Sequence, residues 1–143
     1  MQTITQLTPL FSVCPQIDEA DMSTLASLGY KTVINNRPDG ESADQPSSAI
    51  IAEAAYRHGL VYCHLPISMP VNFDDVAAVT HSLDTLPSPV VAYCRSGTRS
   101  AILWALSQAS KMDSDTILKQ LDDVGYPLEA LRHTLERLQT RDQ

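Results

Sequence analysis

The sequence predicts an α/β protein with a mostly parallel central sheet and helices on both faces. Short runs of β-branched and aromatic residues alternate with segments of helical periodicity along the chain. The length of 143 residues and the hydrophobic fraction of 43% fit one domain, 1–143, with a core that needs neither disulfides nor metal. Sheets of this kind bind ligands at the carboxyl ends of their strands, where one predicted strand ends at Cys94.

The first half of the chain contains two predicted helix–strand pairs. Asp18 is a suitable N-cap for the first helix, and Ser47 or Ser48 for the second. Gly29 and Gly59 end these helices, and a β-prone run follows each glycine. In chain order, the predicted elements are helix 19–28, strand 30–36, helix 49–58 and strand 60–65.

The second half contains one more helix–strand pair and then three helices. Asn72 caps the third helix, and Asp113 or Ser114 caps a later one that Gly125 ends. Pro127 is placed to open the last helix, where four leucines share one face and are expected in the core. The predicted elements are helix 73–86, strand 90–93, a helix beginning at Ser100, helix 115–124 and the helix opened by Pro127, with Leu128, Leu131, Leu135 and Leu138.

The segment 94–100 has the features of an anion-binding loop with a cysteine nucleophile. The strand ends at Cys94, and Gly97 permits a positive φ before a helix begins. Unpaired N–H groups, the positive end of the helix dipole and the guanidinium groups of Arg95 and Arg99 all favour negative charge there. This environment favours the thiolate form of Cys94.

We therefore predict Cys94 and Arg99 as the catalytic residues. The substrate is expected to contact the remaining loop residues, Arg95, Ser96, Gly97, Thr98 and Ser100. The structural alternative is a buried cysteine at a strand end, followed by solvated arginines. Arginines at a helix N-terminus oppose its dipole, so two of them beside a cysteine favour the presence of an anion.

The net charge and the spacing of cysteines and histidines limit the partners that the protein is expected to bind. The formal net charge of −7 argues against nucleic acid and against an anionic membrane surface. The three cysteines and four histidines show no metal-ligand spacing, so neither a metal nor a cofactor is expected. The N-terminus has no pattern of an export signal, and a free reactive thiol suits a reducing compartment, so a cytoplasmic location is expected.

Two resemblances add to this interpretation. The loop 94–100 resembles the active-site loop of single-domain rhodaneses, with cysteine, two residues, glycine, one residue and arginine. Segments 11–17 and 29–41 are similar to bacterial proteins with a dual-specificity-phosphatase-like fold, the beta-lactamase hydrolase-like protein, phosphatase-like domain family (DUF442). The second resemblance covers nearly the whole chain and implies that fold. Some members of that family are fused to a persulfide dioxygenase.

The spacing between Cys94 and Arg99 favours sulfur chemistry over phosphoryl chemistry. Four residues separate Cys94 from Arg99, whereas tyrosine-phosphatase-type loops have five, and a shorter ring of donors suits a terminal sulfur. Where the resemblance implies a general-acid aspartate, the chain has Met69 instead. We therefore predict a rhodanese-type sulfurtransferase that forms a Cys94 persulfide. Its partners would be a small anionic sulfur donor, a thiol or cyanide acceptor and a separate persulfide dioxygenase.

Two alternatives stay open. One is a cysteine-dependent phosphatase that forms a Cys94 phosphoenzyme, with Asp74, Asp75 or Asp39 as acid. The other is a carrier that holds a persulfide without turnover.

Several roles are also left open by the sequence. The segment 37–46 follows the carboxyl end of a strand and is expected to border the site, with Arg37, Asp39 and Glu41 either lining it or forming a surface turn. Cys14 and Cys63 are resolving thiols only if the fold brings them near Cys94.

Overall fold

The computed structural model describes residues 3–141 and contains a central five-stranded sheet with six α-helices. The strands and helices alternate through most of the chain, as the sequence predicts. In chain order they are β1 (Thr5–Thr8), β2 (Phe11–Cys14), α1 (Asp21–Ser27), β3 (Thr32–Asn35), α2 (Ser48–Arg57), β4 (Val61–His64), α3 (Phe73–Thr85), β5 (Val90–Tyr93), α4 (Thr98–Ser107), α5 (Ser114–Asp123), a short 3₁₀ turn (Glu129–Leu131) and α6 (Arg132–Arg141).

The sheet has the strand order β1-β2-β5-β3-β4. β1 pairs with β2 antiparallel, and every other neighbouring pair is parallel. The central strand β5 lies between β2 and β3, with Tyr93 opposite Cys14 on one side and Asn35 on the other. The predicted α/β class with a mostly parallel sheet is therefore confirmed, and Cys94 follows the central strand.

Helices cover both faces of the sheet, as predicted. One face packs on α1 and α2 through Met22, Leu25 and Ile51. The other face packs on α3 to α6, and α4 is buried along nearly its whole length. Of the leucines predicted on one face of the last helix, Leu135 and Leu138 are buried, and Leu128 and Leu131 pack against the same cluster.

The capping predictions are largely confirmed. The side chains of Ser47, Asn72 and Asp113 each accept a hydrogen bond from an N–H group in the first turn of their helix. Asp18 Oδ1 accepts from the N–H groups of Ala20 and Asp21, so it caps the turn that leads into α1, whose own N-cap is Ala20.

Two strands were not predicted, and two helices begin at other residues than predicted. β1 and β2 were not predicted, because β1 is polar and only four residues long, and its strand structure comes from pairing with β2. The last helix begins at Arg132 and not at Pro127, because a 3₁₀ turn intervenes. α4 begins at Thr98 and not at Ser100, since Gly97 adopts the left-handed conformation (φ 90°) as its N-cap.

Among residues 3–141, no helix is long and apolar enough to cross a membrane.

Candidate active site

Cys94 lies at the point where the central strand ends, and its side chain is fully buried. The N–H of Gly97 donates a hydrogen bond to Cys94 Sγ at 3.1 Å. The first intrahelical bond of α4 runs from the Ala101 N–H to the Gly97 carbonyl, so the N–H groups before Ala101 have no partner within the helix. The loop therefore directs N–H donors and the positive end of a buried helix towards the thiol.

Arg99 is held on one side by Glu41. The two carboxylate oxygens of Glu41 accept from Nη1 and Nη2 of Arg99, both at 2.7 Å, and Nη1 also donates to the Ile67 carbonyl at 3.0 Å. A guanidinium has five N–H donors, so these three bonds leave Nε and one Nη2 hydrogen. The bonds from Glu41 and the nearby Cys94 raise the pKa of Arg99. The remaining edge of Arg99 thus faces Cys94, where an anion would bind.

Glu41 also binds Arg37, a buried side chain whose Nε donates to Glu41 Oε1 at 3.0 Å. The hydrogen bonds from Arg99 and then Arg37 lower the pKa of Glu41 to about 2, so it is ionised at neutral pH. Nη1 of Arg37 donates to Gln16 Oε1 at 3.0 Å, which ties this segment to the end of β2. The segment 37–46 thus contacts the loop that follows β5 through the bonds between Glu41 and Arg99.

The other predicted loop residues have different surroundings. The Ser100 hydroxyl donates to Asn36 Oδ1 at 2.8 Å in a buried contact, so its proton is already used within the protein. The Ser96 hydroxyl donates to Thr98 Oγ1 at 3.1 Å on the exposed side of the loop. The hydroxyls of Ser96 and Ser100 therefore both donate to other side chains of the protein.

Arg95 is exposed beside an open cavity of about 220 Å³. The cavity is lined by Gln16, Arg37, Ser42, Asp44, Gln45, Pro46 and Arg95.

Of the two other cysteines, Cys14 is the one near the site. It ends β2 opposite Tyr93, and the Gln16 N–H donates to the Arg95 carbonyl at 3.2 Å, which continues the contact past the strands. Burial, with Cys94 and Asp21 adding smaller effects, raises the pKa of Cys14 to about 12, so its thiol stays protonated at neutral pH. Cys63 lies on β4, which is separated from β5 by β3.

The candidate acids differ in availability. Asp39 Oδ1 accepts from the Ser48 N–H at 2.8 Å and so serves the start of α2. Asp74 and Asp75 lie in the first turn of α3. Within residues 3–141, no group of three or more His, Cys, Asp or Glu side chains is arranged to hold a metal ion.

Comparison with known proteins defines the class of this chain as phosphatase-like. The chain belongs to the family described as Beta-lactamase hydrolase-like protein, phosphatase-like domain, whose model matches residues 3–111. It is 33% identical over 123 residues to a Beta-lactamase hydrolase-like protein of Agrobacterium fabrum, covering 82% of this chain and 28% of that one. The chain therefore spans less than a third of the length of the curated relatives it matches.

Solved structures agree with this family. A candidate phosphatase of Neisseria meningitidis Z2491 is 33% identical with a TM-score of 0.84, covering 94% of this chain and 97% of that one. A variant of P. aeruginosa TpbA in complex with pTyr has a TM-score of 0.62 at 17% identity, covering 93% and 90% of the two chains, which shows the fold alone. The predicted family and its dual-specificity-phosphatase-like fold are confirmed.

The prediction of a rhodanese-type sulfurtransferase is wrong, because both the family and its structural neighbours are phosphatase-like. The predicted sulfur donor, the thiol or cyanide acceptor and the separate persulfide dioxygenase fail with it. That prediction depended on the spacing between Cys94 and Arg99 and on Met69 at the expected position of the general acid. N–H donors and a guanidinium stabilise sulfur and phosphoryl anions alike, so spacing alone did not identify the chemistry.

Proposed function

We propose that the protein is a cysteine-dependent phosphatase that hydrolyses phosphate monoesters through a phosphorylated Cys94. The observation that supports this most directly is the edge of Arg99 that faces the Cys94 thiol while Glu41 holds the opposite edge. A planar guanidinium with two parallel donors matches two oxygens of a phosphoryl group. The 33% identity to a candidate phosphatase supports the same chemistry.

In the first step the Cys94 thiolate attacks phosphorus, and the S–P bond forms as the ester P–O bond breaks. Arg99 and the loop N–H groups stabilise the charge on the phosphoryl oxygens. Gly97, whose N–H donates to Cys94 Sγ, stabilises the attacking thiolate. The leaving oxygen takes the electron pair of the broken bond, departs as a phenoxide or alkoxide and takes a proton from water.

In the second step water attacks phosphorus and the S–P bond breaks. Inorganic phosphate leaves, and Cys94 returns to the thiolate. The same donors of Arg99 and the loop stabilise this transition state, because the phosphoryl oxygens occupy the same positions in both steps.

The remaining loop residues have supporting roles in this proposal. Backbone N–H groups of Ser96, Thr98 and Ser100 contribute to the ring of donors around the phosphoryl group. Arg95, exposed beside the loop, attracts anionic substrates to a chain whose net charge is −7. We further propose that the chain forms a single domain, and a cytoplasmic location stays a prediction.

The test is hydrolysis of p-nitrophenyl phosphate by the wild type, Cys94→Ser and Cys63→Ser. We expect turnover in the wild type, none in Cys94→Ser and wild-type turnover in Cys63→Ser, since Cys63 lies two strands from β5. Acid quench during turnover followed by peptide mass spectrometry is expected to find the phosphoryl group on Cys94. Full activity of folded Cys94→Ser, or no phosphate release by the wild type, would refute the proposal.

A further inference from the structure

Tyr126 lies beyond residues 3–111, the part of the chain that matches the family model. It follows α5 and the positive-φ Gly125, and its N–H donates to the Leu121 carbonyl at 2.9 Å. Its half-buried ring packs against the apolar cluster that includes α4, α5 and α6. The side chain is therefore anchored by the core and its backbone by the end of α5.

The hydroxyl of Tyr126 reaches the anion-binding loop. A Cβ built on Gly97 would lie 2.5 Å from Tyr126 Oη and 3.5 Å from the carbonyl carbon and oxygen of Cys14. Gly97 is thus enclosed between the Tyr126 hydroxyl and the end of β2. This close approach gives Gly97 a second reason to be glycine, besides its φ of 90°.

Tyr126 also lies close enough to Cys94 for charge on that residue to affect its pKa. Burial and then the neighbouring Cys94 raise the pKa of Tyr126, so the phenol is neutral at the pH where Cys94 acts. A neutral hydroxyl places no repelling charge beside a thiolate or a phosphoryl anion. At the loop, the Tyr126 hydroxyl therefore contributes a van der Waals contact and a dipole.

We propose that Tyr126 is a positioning residue, whose hydroxyl fills the space beside Gly97 where a Cβ would lie and so keeps the Gly97 N–H directed at Cys94 Sγ. The effect on catalysis rests on the proposed function, whereas the effect on the thiol does not. Without the hydroxyl, Gly97 gains room beside its Cα, and its 3.1 Å bond to Cys94 is expected to weaken. A weaker bond stabilises the thiolate less.

The experiment compares wild type, Tyr126→Phe, Tyr126→Ala and Tyr56→Phe, with folding checked by circular dichroism. Tyr56 is 82% exposed on α2 and is the matched control. The rate of Cys94 alkylation by iodoacetamide is measured from about pH 6 to about pH 10. At the acid end we expect the rate to fall about threefold in Tyr126→Phe and about tenfold in Tyr126→Ala.

At the alkaline end the rates of the variants are expected to converge with that of the wild type. A purely structural role would lower the melting temperature but leave this pH profile unchanged. With p-nitrophenyl phosphate, kcat is expected to fall by the same factors and KM to change less. Tyr56→Phe is expected to match the wild type in both measurements.

A wild-type alkylation profile in folded Tyr126→Phe and Tyr126→Ala would overturn the role of Tyr126. Absence of phosphate release by the wild type would refute the phosphatase proposal instead, and the alkylation profiles would still decide the role of Tyr126.

Discussion

The carboxylate of Glu41 joins Arg37 to Arg99, with 3.0 Å to Nε of Arg37 and 2.7 Å to both terminal nitrogens of Arg99. Arg99 comes from the helix after the central strand, and Glu41 comes from the loop after β3. Two guanidinium groups therefore share one carboxylate. The arrangement leaves a positive charge in excess beside Cys94 and fixes the orientation of Arg99.

Replacing Glu41 tests this arrangement. In Glu41→Gln the bidentate charge pair with Arg99 is lost, and the guanidinium is free to adopt other rotamers. We expect kcat/KM for an aryl phosphate to fall about tenfold to a hundredfold. Glu53→Gln, on the exposed surface of α2, is the control and is expected to keep wild-type kinetics. Wild-type kinetics in Glu41→Gln would show that Arg99 is held by other contacts.

The carboxylate of Glu41 is also expected to make a contribution to stability that is lost in acid. The pKa of Glu41 is lowered from 4.5 to about 2 in the folded protein, chiefly by the bonds from Arg99. A carboxylate whose pKa is lowered on folding contributes its full stabilisation above its pKa in the unfolded chain. This contribution disappears as the pH falls through its pKa in the folded protein.

Thermal melts of the wild type and Glu41→Gln over that pH range measure this contribution. The melting temperature of the wild type is expected to exceed that of the variant by a constant margin above about pH 4.5, and the margin is expected to close towards pH 2. A margin that does not change with pH would contradict the assignment to this ion pair.

Gly97→Ala is expected to lower kcat by about a hundredfold or more. The backbone at this position has φ 90°, which a residue with a Cβ rarely adopts, and the new Cβ would lie 2.5 Å from Tyr126 Oη, so the loop or the Tyr126 side chain has to shift. Gly59→Ala separates the effect of the positive φ from that of the contact with Tyr126, because Gly59 has φ 73° and open space around the added Cβ. Steady-state kinetics of the control are expected to match the wild type.

The double variant Gly97→Ala, Tyr126→Phe extends this test. Removing the hydroxyl relieves the 2.5 Å contact but not the backbone strain, so partial recovery of kcat is expected. Additive losses in the double variant would mean that the Tyr126 hydroxyl does not limit Gly97.

Substrate preference follows from the acids near the loop. Asp39 is committed to the Ser48 N–H, and Met69 is found where the resemblance implied an acid. A phenol leaves as a stable anion more readily than an alcohol does, so it depends less on protonation. We expect kcat/KM for p-nitrophenyl phosphate or phosphotyrosine to exceed that for phosphoserine by about a hundredfold or more. Equal values would indicate an efficient general acid, to be sought with Asp74→Asn and Asp75→Asn.

The C-terminal helix is expected to be part of the stable fold. Leu135 on α6 is fully buried in the cluster shared with α4 and α5. Leu135→Ala is expected to lower the free energy of unfolding by about 2–5 kcal/mol, measured by urea denaturation. Leu10→Ala, at a residue 58% exposed, is expected to change it by well under 1 kcal/mol. Equal stability of the two variants would show that α6 does not contribute to the core.

Local patterns in the sequence were sufficient for most of the fold. Ser47, Asn72 and Asp113 cap their helices because a short polar side chain satisfies nearby N–H groups, which is a property of neighbouring residues. β1 could not be predicted in this way, since its polar residues form a strand only through hydrogen bonds to β2. The 3₁₀ turn before α6 was not predicted either. Proline is favoured in the first turn of an α-helix, so Pro127 was assigned to the start of the last helix.

The sequence by itself determined that Cys94 follows a buried strand and precedes a helix, because strand, glycine and helix signals are adjacent in the chain. Only the tertiary structure decided what surrounds that cysteine. Glu41 on Arg99 and Tyr126 on Gly97 join residues far apart in sequence, and no local pattern specifies such contacts. The choice between sulfur and phosphoryl chemistry was missed for a related reason, since a short motif describes the anion-binding loop and not the scaffold around it.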